Sequence, residues 1–185
     1  MKKIISTLLL ITMFSANAQV IIGDAVGTAA VKTSVLLEFA ANQNKGLILP
    51  YVRTMPSGTK LTEGTILLDA SDPTQARVKY YNGTWKDLSG QAADLTAAKA
   101  LPNFATEQSP SITENPDSKA IIGASSSAAD GVLVLESTTK AMVLPTVTDV
   151  QLVPSPSPGM MVYINKAGAK RLAVFNGSKW SFWKP

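Results

Sequence analysis

The sequence predicts a mostly β fold: two homologous small antiparallel β modules, each a hairpin meander, joined by a Pro/Ala-rich linker. The first observation behind this prediction is an internal duplication, in which four apolar or aromatic blocks recur in the same order. The paired blocks are residues 21–23 with 121–123, 36–38 with 134–136, 45–50 with 140–145, and 81–85 with 175–180. The second observation is that each module contains short runs rich in Val and Leu that end at proline or at an Asn-Gly pair, which is typical of strands and turns. An ordered duplication of this kind decides the architecture before any single motif does.

The N-terminal residues 1–18 have the composition of a secretory signal peptide. Lys2 and Lys3 form a basic start, an apolar stretch follows, and residues 16–18 (Ala-Asn-Ala) form a small-x-small cleavage site. The alternative is an N-terminal membrane anchor, but the apolar stretch is shorter than the roughly 20 residues that a spanning helix needs. The sequence therefore predicts export, with a mature chain that starts at Gln19 and does not cross a membrane.

Behind the signal peptide the sequence divides into three segments: β repeat 1 (19–90), a linker (91–119) and β repeat 2 (120–185). The linker contains Pro102, Pro110 and Pro116 among many small and polar residues. Such a composition is typical of a connecting segment, with at most one helical turn near residues 94–100. The alternative is that this stretch is a third structural element.

The two repeats contain the same order of predicted strands. In repeat 1 and repeat 2 respectively, the strands are 34–40 and 131–137, 46–49 and 141–144, 64–69 and 159–165, and 77–81 and 171–175. Pro50 and Pro145 close the second pair, because proline has no N–H to donate and lies at the end or edge of a ladder. The segments 51–63 and 146–158 hold prolines or glycines and are predicted to be loops without a long helix.

The strongest local pattern is an Asn-Gly pair near the end of each repeat. Asn82-Gly83 and Asn176-Gly177 each lie between a predicted strand and an aromatic segment. Asn followed by Gly tolerates positive φ at both positions, as a two-residue type I′ hairpin turn requires. We therefore predict a tight hairpin in each repeat, with these four residues as structural turns.

These blocks, in this order, resemble a repeat found in secreted proteins of Bacteroidota and in tail-fibre-like surface proteins, with the pattern LDV-S-KG-L-PR…GLLVYNT…YNG-W. The matching residues in repeat 1 are Gly27-Thr28, Leu37-Glu38, Lys45-Gly46, Leu49-Pro50, Arg53-Thr54, Gly64 and residues 81–85. Those in repeat 2 are Leu135-Glu136, Lys140, Leu144-Pro145, Pro158-Gly159, Val162-Tyr163, Asn176-Gly177 and Trp180. Neither repeat has the central QR segment of the family, and repeat 2 lacks an equivalent of Arg53. The resemblance implies a mostly β, surface-exposed, structural or adhesive module that is often oligomeric, and it implies no catalytic activity.

The composition excludes several classes of function. The chain contains no Cys and no His, which removes disulfide staples, Ser-His and Cys-His nucleophile pairs and the commonest transition-metal ligand. Without Lys2 and Lys3, 15 of the 17 basic residues remain against 13 acidic ones, a scattered net charge of +2 that predicts no nucleic-acid partner. Glu63, Asp69 and Asp72 lack the spacing of a calcium loop and are interpreted as solvated turn carboxylates. We therefore predict that the protein is not an enzyme and has no catalytic, cofactor-binding or metal site.

Five aromatic residues are candidate contacts for a ligand or partner: Tyr81, Trp85, Phe175, Trp180 and Trp183. Exposed rings stack on sugars, but the recurrence of aromatic residues at both hairpins favours packing between strands. Trp183, near the end of the sequence, is the ring that we expect to be exposed. Glu38 and Glu136 recur inside apolar strands and are interpreted as solvent-facing or edge residues that discourage edge pairing.

The sequence thus predicts an exported, non-enzymatic β-repeat protein that builds or decorates the cell surface or an extracellular fibre-like structure. The alternative function is that of an adhesin or glycan-binding module that uses the aromatic hairpins. Each repeat has about 70 residues, a size at which a core is marginal unless disulfides, a metal or association add stability. The expected partners are therefore proteins, through self-association or a surface or fibre assembly, with glycan as the alternative. The expected location is extracellular or at the cell surface, and the periplasm is the alternative.

Overall fold

The structure is a computed structural model that describes residues 19–41, 43–96, 115 and 118–183. These residues form a mostly β fold, as the sequence predicts, and the strands in chain order are β1 (Val20–Ile22), β2 (Val35–Phe39), β3 (Leu47–Ile48), β4 (Tyr51–Val52), β5 (Ile66–Asp69), β6 (Arg77–Tyr81), β7 (Trp85–Asp87), β8 (Ala120–Ile122), β9 (Leu133–Leu135), β10 (Ala141–Val143), β11 (Thr146–Val147), β12 (Met160–Ile164), β13 (Arg171–Phe175) and β14 (Trp180–Trp183). The helical structure in these ranges is one 3₁₀ turn, Val150–Leu152, and none of it has the length and apolar character needed to span a bilayer. The predicted signal peptide lies outside the described residues.

The two repeats pair their own strands in the same way. Repeat 1 contributes β1–β7 and repeat 2 contributes β8–β14. In repeat 1, β4 pairs in parallel with β5, and β5, β6 and β7 follow as an antiparallel meander. In repeat 2, β11 pairs in parallel with β12, and β12, β13 and β14 form the equivalent meander. The expected antiparallel meanders are therefore present. Each is extended by a parallel strand, β4 or β11, so the prediction of a loop is wrong at the start of segments 51–63 and 146–158.

Two strands leave their own repeat and pair with the other one. Strand β3 pairs antiparallel with the start of β12, with Leu47 opposite Met161 and Ile48 opposite Met160. Strand β10 pairs in parallel with β2, with Met142 opposite Leu37. The two repeats thus share two sheets and are not independent beads.

Proline marks the corner at which each exchanged strand ends. Pro50 lies between β3 and β4, and its carbonyl oxygen accepts a hydrogen bond from the N–H of Leu68 at 2.9 Å. Pro145 lies between β10 and β11, and its carbonyl oxygen accepts from the N–H of Tyr163 at 2.8 Å. Since neither proline has an N–H, the ladder stops there and the chain turns from one sheet into the next.

The largest core is built by both repeats together. Its buried residues are Leu49, Leu68, Ala76, Val78, Ala93, Leu95, Met161 and Val174. A second core lies within repeat 2 and contains Val147, Val150, Val153, Met160, Val162, Ile164 and Ala173. Burial of apolar surface is the main stabilising term of such small modules, so the shared core couples the stability of one repeat to that of the other.

The first residues of the predicted linker belong to this shared core. Ala93 forms an antiparallel bridge with Ala76, and the side chain of Leu95 is fully buried. Gln91 donates a side-chain hydrogen bond to the hydroxyl of Ser181 at 3.1 Å. Residues 97–114, which include most of the predicted linker and of its helical turn, lie outside the described residues. The described start of this segment is therefore packed against both repeats.

The structure also corrects one of the paired blocks. Ile21 lies opposite Glu38, whereas Ile121 lies opposite Val134. The carbonyl oxygen of Ile22 accepts from Ala40, and the equivalent oxygen in repeat 2 accepts from Glu136. The pairing of residues 36–38 with 134–136 is therefore wrong by two positions. A shift of two keeps each side chain on the same face of a strand, so the apolar pattern could not reveal it.

Candidate functional site

The junction between the repeats depends on a close backbone approach at Gly159. The N–H of Leu49 donates to the carbonyl oxygen of Gly159, with an N···O distance of 3.1 Å, which continues the β3–β12 ladder. Gly159 is buried and has φ +77°, and a Cβ placed on it would lie 3.3 Å from the Cβ of Leu68 and 3.3 Å from Cε1 of Tyr51. Glycine fits because it adopts positive φ and adds no atom between the repeats.

Gly46 makes the second close approach, one residue before β3. A Cβ at this position would collide with the side chain of Met160 and would lie 2.9 Å from the carbonyl oxygen of Met161. The backbone conformation of Gly46 does not have positive φ, so the requirement for glycine here is one of space. Both sides of the junction therefore need glycine, and the resemblance pattern contains both positions.

Glu38 lies in the shared sheet formed by β1, β2 and β10, and the interpretation of this residue as solvent-facing or edge-lying is wrong. Its side chain is fully buried, and its carboxylate accepts hydrogen bonds from the backbone N–H groups of Thr28 and Ala29, both at 2.8 Å. The Lys32 ammonium and the Gln19 amide also donate to it. The carboxylate therefore fastens the loop that follows β1 to the centre of the sheet.

The charge of Glu38 is stabilised by these donors. Burial by itself raises the pKa of the Glu38 carboxyl. The hydrogen bonds from Ala29, Lys32 and Thr28, together with the Lys32 charge, outweigh burial and hold the pKa below its ordinary value. A buried carboxylate with this many donors is a structural anchor of the loop.

Repeat 2 fastens the equivalent loop in a different way. Because Val134 takes the place of Glu38, no carboxylate lies at that position. Glu136 is half-buried instead and accepts a hydrogen bond from the Ser127 hydroxyl. The Lys119 ammonium donates to the carbonyl oxygens of Ser127 and Ala129, at 3.2 and 2.7 Å.

The predicted turn residues lie in the connections between β6 and β7 and between β13 and β14: Asn82, Gly83, Asn176 and Gly177. These connections contain three and four residues (82–84 and 176–179), so the predicted two-residue type I′ turn is wrong. Positive φ occurs at the glycines, +85° at Gly83 and +108° at Gly177, and not at the asparagines. The longer connections remove the need for a positive φ at Asn.

Asn176 has a role that Asn82 does not share. It is fully buried, and its side-chain oxygen accepts from the backbone N–H groups of Ser178 and Lys179, at 3.0 and 2.9 Å. Its side-chain nitrogen donates to the carbonyl oxygen of Gln91 at 3.1 Å. Asn176 thus ties the second hairpin to the segment that leaves repeat 1, whereas Asn82 is exposed.

Four of the five candidate aromatic residues form two equivalent pairs. Tyr81 lies opposite Trp85 with ring centroids 5.3 Å apart and an interplanar angle of 56°. Phe175 lies opposite Trp180 with ring centroids 5.3 Å apart and an interplanar angle of 47°. All four side chains are half-buried. Tilted ring pairs at this separation are stabilising contacts across a hairpin, so the geometry favours packing over a free sugar-stacking surface.

Trp183 stands apart from these pairs. It lies on β14 opposite Leu172, and 57% of its surface is exposed, as the sequence led us to expect. Its neighbour Phe182 is also exposed, and the guanidinium carbon of Arg171 lies 4.7 Å from the centroid of the Phe182 ring. Phe182 and Arg171 are not among the five predicted contact residues.

Among the described residues, the acidic side chains do not assemble into a metal centre. Asp69 is buried and accepts from the Lys79 ammonium at 2.7 Å, so its interpretation as a solvated turn carboxylate is wrong. Burial raises the pKa of Asp69, but hydrogen bonds from Lys79 and Ser71 outweigh it and hold the pKa below its ordinary value. Glu63 and Asp72 are exposed. Over the described ranges, no group of three or more acidic residues is placed to hold a metal ion.

Strand β9 has an open edge in the described part of the chain. It pairs with β8 on one side, whereas its counterpart β2 lies between β1 and β10. Leu133, the first residue of β9, and Val132 before it are 45% and 62% exposed. An unpaired apolar strand edge is a template for another strand.

The described residues thus form a β protein whose two repeats complete each other's sheets. In comparison with protein families, residues 112–184, which include repeat 2 up to residue 184, match the phage tail like trimerisation region. Comparison with characterised proteins and with solved structures gives no match. The family match supports the tail-fibre-like part of the resemblance, and the Bacteroidota repeat pattern stays a prediction. The matched family is structural and self-associating, in line with the non-enzymatic reading of the sequence.

Proposed function

We propose that this protein is an exported structural subunit that self-associates to build or decorate a fibre-like or surface assembly. The observation that carries the proposal is the match of residues 112–184 to a tail trimerisation region, on a repeat whose β9 edge is open. Association covers such an edge and adds buried apolar surface to a small, disulfide-free module. The family match supports a trimer as the oligomeric state of this assembly.

The proposed location is outside the cytoplasm. It is supported by the sequence of residues 1–18, which has the basic, apolar and small-residue regions of a signal peptide. The absence of Cys means that the fold needs no oxidising compartment for disulfides. Edman sequencing of the exported protein tests this part of the proposal, and the expected first residue is Gln19.

The second candidate function is glycan binding, and one observation favours it. Phe182 and Trp183 each expose an aromatic ring on β14, on opposite faces of the strand, and an exposed ring is a surface on which a sugar stacks. The paired rings of the hairpins are less suited to this role because they pack on each other.

Light scattering coupled to size-exclusion chromatography tests the self-association of the mature chain. The expected result is a single species with three times the mass of one chain, over a hundredfold range of concentration. A protein that stays monomeric at the highest concentration contradicts the proposed function, whatever its location.

A further inference from the structure

We propose that a second copy of this chain joins repeat 2 through the same strand exchange that joins the two repeats within one chain. In this arrangement residues 64–66 of the incoming chain pair with β10, and its β3 extends the sheet of β8 and β9. The inference rests on the proposed self-association and specifies its interface.

The exchanged strands β3 and β10 occupy equivalent positions but use opposite edges. β3 uses the edge that carries the N–H of Leu49, which donates to Gly159. β10 uses the edge that carries the N–H of Ala141, which donates to the carbonyl oxygen of Ser34 at 2.8 Å. In the repeat alignment Leu49 corresponds to Leu144 and Ala141 to Gly46. Because Gly46 and Leu49 are three positions apart, their N–H groups lie on opposite edges of a strand. Each exchanged strand therefore has one edge in use and one open edge within the described residues.

The open edge of β10 borders an apolar cavity. The cavity has a volume of about 300 Å³ and is lined by Met142, Val143, Leu144, Thr146 and Tyr163. In repeat 1 the equivalent residues Leu49, Tyr51 and Leu68 lie beside Gly159 of repeat 2. The two sets of residues correspond, because Tyr51 lies opposite Leu68 in repeat 1 and Thr146 lies opposite Tyr163 in repeat 2. The cavity of repeat 2 is thus lined by the counterparts of the residues that lie beside Gly159 in repeat 1.

Gly64 of repeat 1 corresponds to Gly159 of repeat 2. The N–H of Gly64 donates to the backbone carbonyl oxygen of Tyr81 at 2.8 Å, and the N–H of Gly159 donates to that of Phe175 at 2.8 Å. Both glycines therefore lie at the same position, just before the first strand of a meander. Both have positive φ, +91° and +77°. A Cβ on Gly159 would touch the other repeat, whereas a Cβ on Gly64 would meet nothing within 4 Å. Gly64 is exposed and faces no partner among the described residues.

The correspondence between the two repeats gives the register of the proposed interface. Ile48 lies opposite Met160, so Val143 lies opposite Thr65 of the incoming chain. Met142 lies opposite Leu37 in β2, so Leu47 of the incoming chain lies opposite Leu133 in β9. The exposed residues Val132 and Leu133 are covered by this second contact. Since the two surfaces that meet are different, the interface is heterologous and closes into a ring of chains when the rotation between them allows.

A pair of engineered cysteines tests the register, and the absence of native Cys makes the result unambiguous. The internal pair Ile48 and Met160 is a non-hydrogen-bonded antiparallel pair, because Leu49 donates to Gly159 beside it. In such pairs the Cα atoms are about 4.5 Å apart, within the range that a disulfide spans. The variant Thr65→Cys/Val143→Cys is therefore expected to form disulfides between chains on mild oxidation. Non-reducing gels are expected to show covalent trimers.

Mixing two single-cysteine variants tests whether the two contacting surfaces belong to different chains. Chains with Thr65→Cys alone, mixed with chains with Val143→Cys alone, are expected to give a covalent pair containing one chain of each kind. Ile48→Cys/Met160→Cys is the positive control and is expected to close within a single chain. Thr65→Cys/Met142→Cys is the register control and is expected to stay uncross-linked, since Met142 points to the opposite face of β10.

The outcomes distinguish this interface from self-association as such. If the chain is trimeric by light scattering and the positive control closes, but Thr65→Cys/Val143→Cys gives no interchain disulfide, the interface is wrong and the proposed function stands. A disulfide within one chain also overturns it. Circular dichroism of the reduced variants reports folding, and hydrogen exchange on the unaltered chain provides a second readout. The amides of Met142 and Leu144, on the open edge of β10, are expected to be protected in the associated protein, and unprotected amides there overturn the proposal.

Discussion

Gly46 of repeat 1 packs so closely against Met160 of repeat 2 that a methyl group at position 46 has no room. The contact lies where β3 joins β12, and it brings the backbone of one repeat onto the core of the other. The stability of both repeats should therefore respond to one added carbon atom at this position.

Gly46→Ala is expected to lower the free energy of unfolding by about 1–3 kcal/mol, as overpacking of a close-packed core does. The measurement is urea unfolding of the whole chain, followed by tryptophan fluorescence. Gly131→Ala is the matched control, since neither glycine has positive φ and a Cβ at position 131 meets only ordinary contacts, the nearest at 3.5 Å from Val134. The control is expected to be unchanged or more stable by up to about 1 kcal/mol. Equal effects at both positions would contradict the close packing of the junction.

Glu38→Gln is expected to lower the free energy of unfolding by about 1.5–3 kcal/mol at pH 7, because hydrogen bonds to a charged acceptor are lost. The pKa of Glu38 is lowered in the folded state, so the folded chain holds its charge to lower pH than the unfolded chain does. This stabilisation is complete above the unfolded pKa of about 4.3 and is lost as the pH falls through the lower folded pKa.

Urea unfolding at a series of pH values from 7 to 3 measures the effect of Glu38→Gln. The difference between the unaltered chain and the variant is expected to shrink as the pH falls. The pKa of Asp69 is lowered as well by its hydrogen bonds to Lys79 and Ser71, so part of the pH dependence remains in the variant. Glu136→Gln is the control and is expected to cost about 0.5–1.5 kcal/mol, since Glu136 is half-buried and bonded to Ser127. A constant difference across the pH range is the result that contradicts the role of the Glu38 charge.

Asn176→Ala is expected to destabilise the fold by about 1–3 kcal/mol, because it removes the three hydrogen bonds of a fully buried side chain. The side chain of Asn176 bonds to Ser178, Lys179 and Gln91, and the last of these lies 85 residues away in sequence. Asn82→Ala removes the same residue type from the equivalent exposed turn and is expected to stay within about 0.5 kcal/mol of the unaltered chain. Thermal unfolding by circular dichroism compares the two, and a larger loss at Asn82 would refute the assignment.

The local features of the fold could be predicted from the sequence. The predicted strands at 77–81 and 171–175 are β6 and β13 residue for residue, because side-chain alternation and turn residues act over a few positions. The exchange of β3 and β10 could not be predicted. These strands have two and three residues, and both repeats offer them similar apolar edges, so the pairing is decided by three-dimensional packing.

The candidate site could be predicted less well than the strands, because its contacts also depend on three-dimensional packing. The sequence treats Asn82 and Asn176 alike, whereas the structure buries Asn176 and bonds it to Gln91, 85 residues away. Glu38 has the pattern of an outward residue on a strand, and its burial depends on a loop that folds back over it with donors from Thr28 and Ala29. Residues far apart in sequence supply the deciding partners in both cases.

The tryptophans of β14 separate the packing role from the glycan-binding role. Trp180→Ala removes the ring pair with Phe175 and is expected to destabilise the fold by at least about 0.5–1.5 kcal/mol. Trp183→Ala removes a ring that is 57% exposed and is expected to change stability by less than about 0.5 kcal/mol. A glycan array on the unaltered chain and on Trp183→Ala then decides between the two candidate functions. Binding that is lost in this folded variant supports the adhesin alternative, whereas no binding by the unaltered chain leaves these exposed rings to contacts between protein subunits.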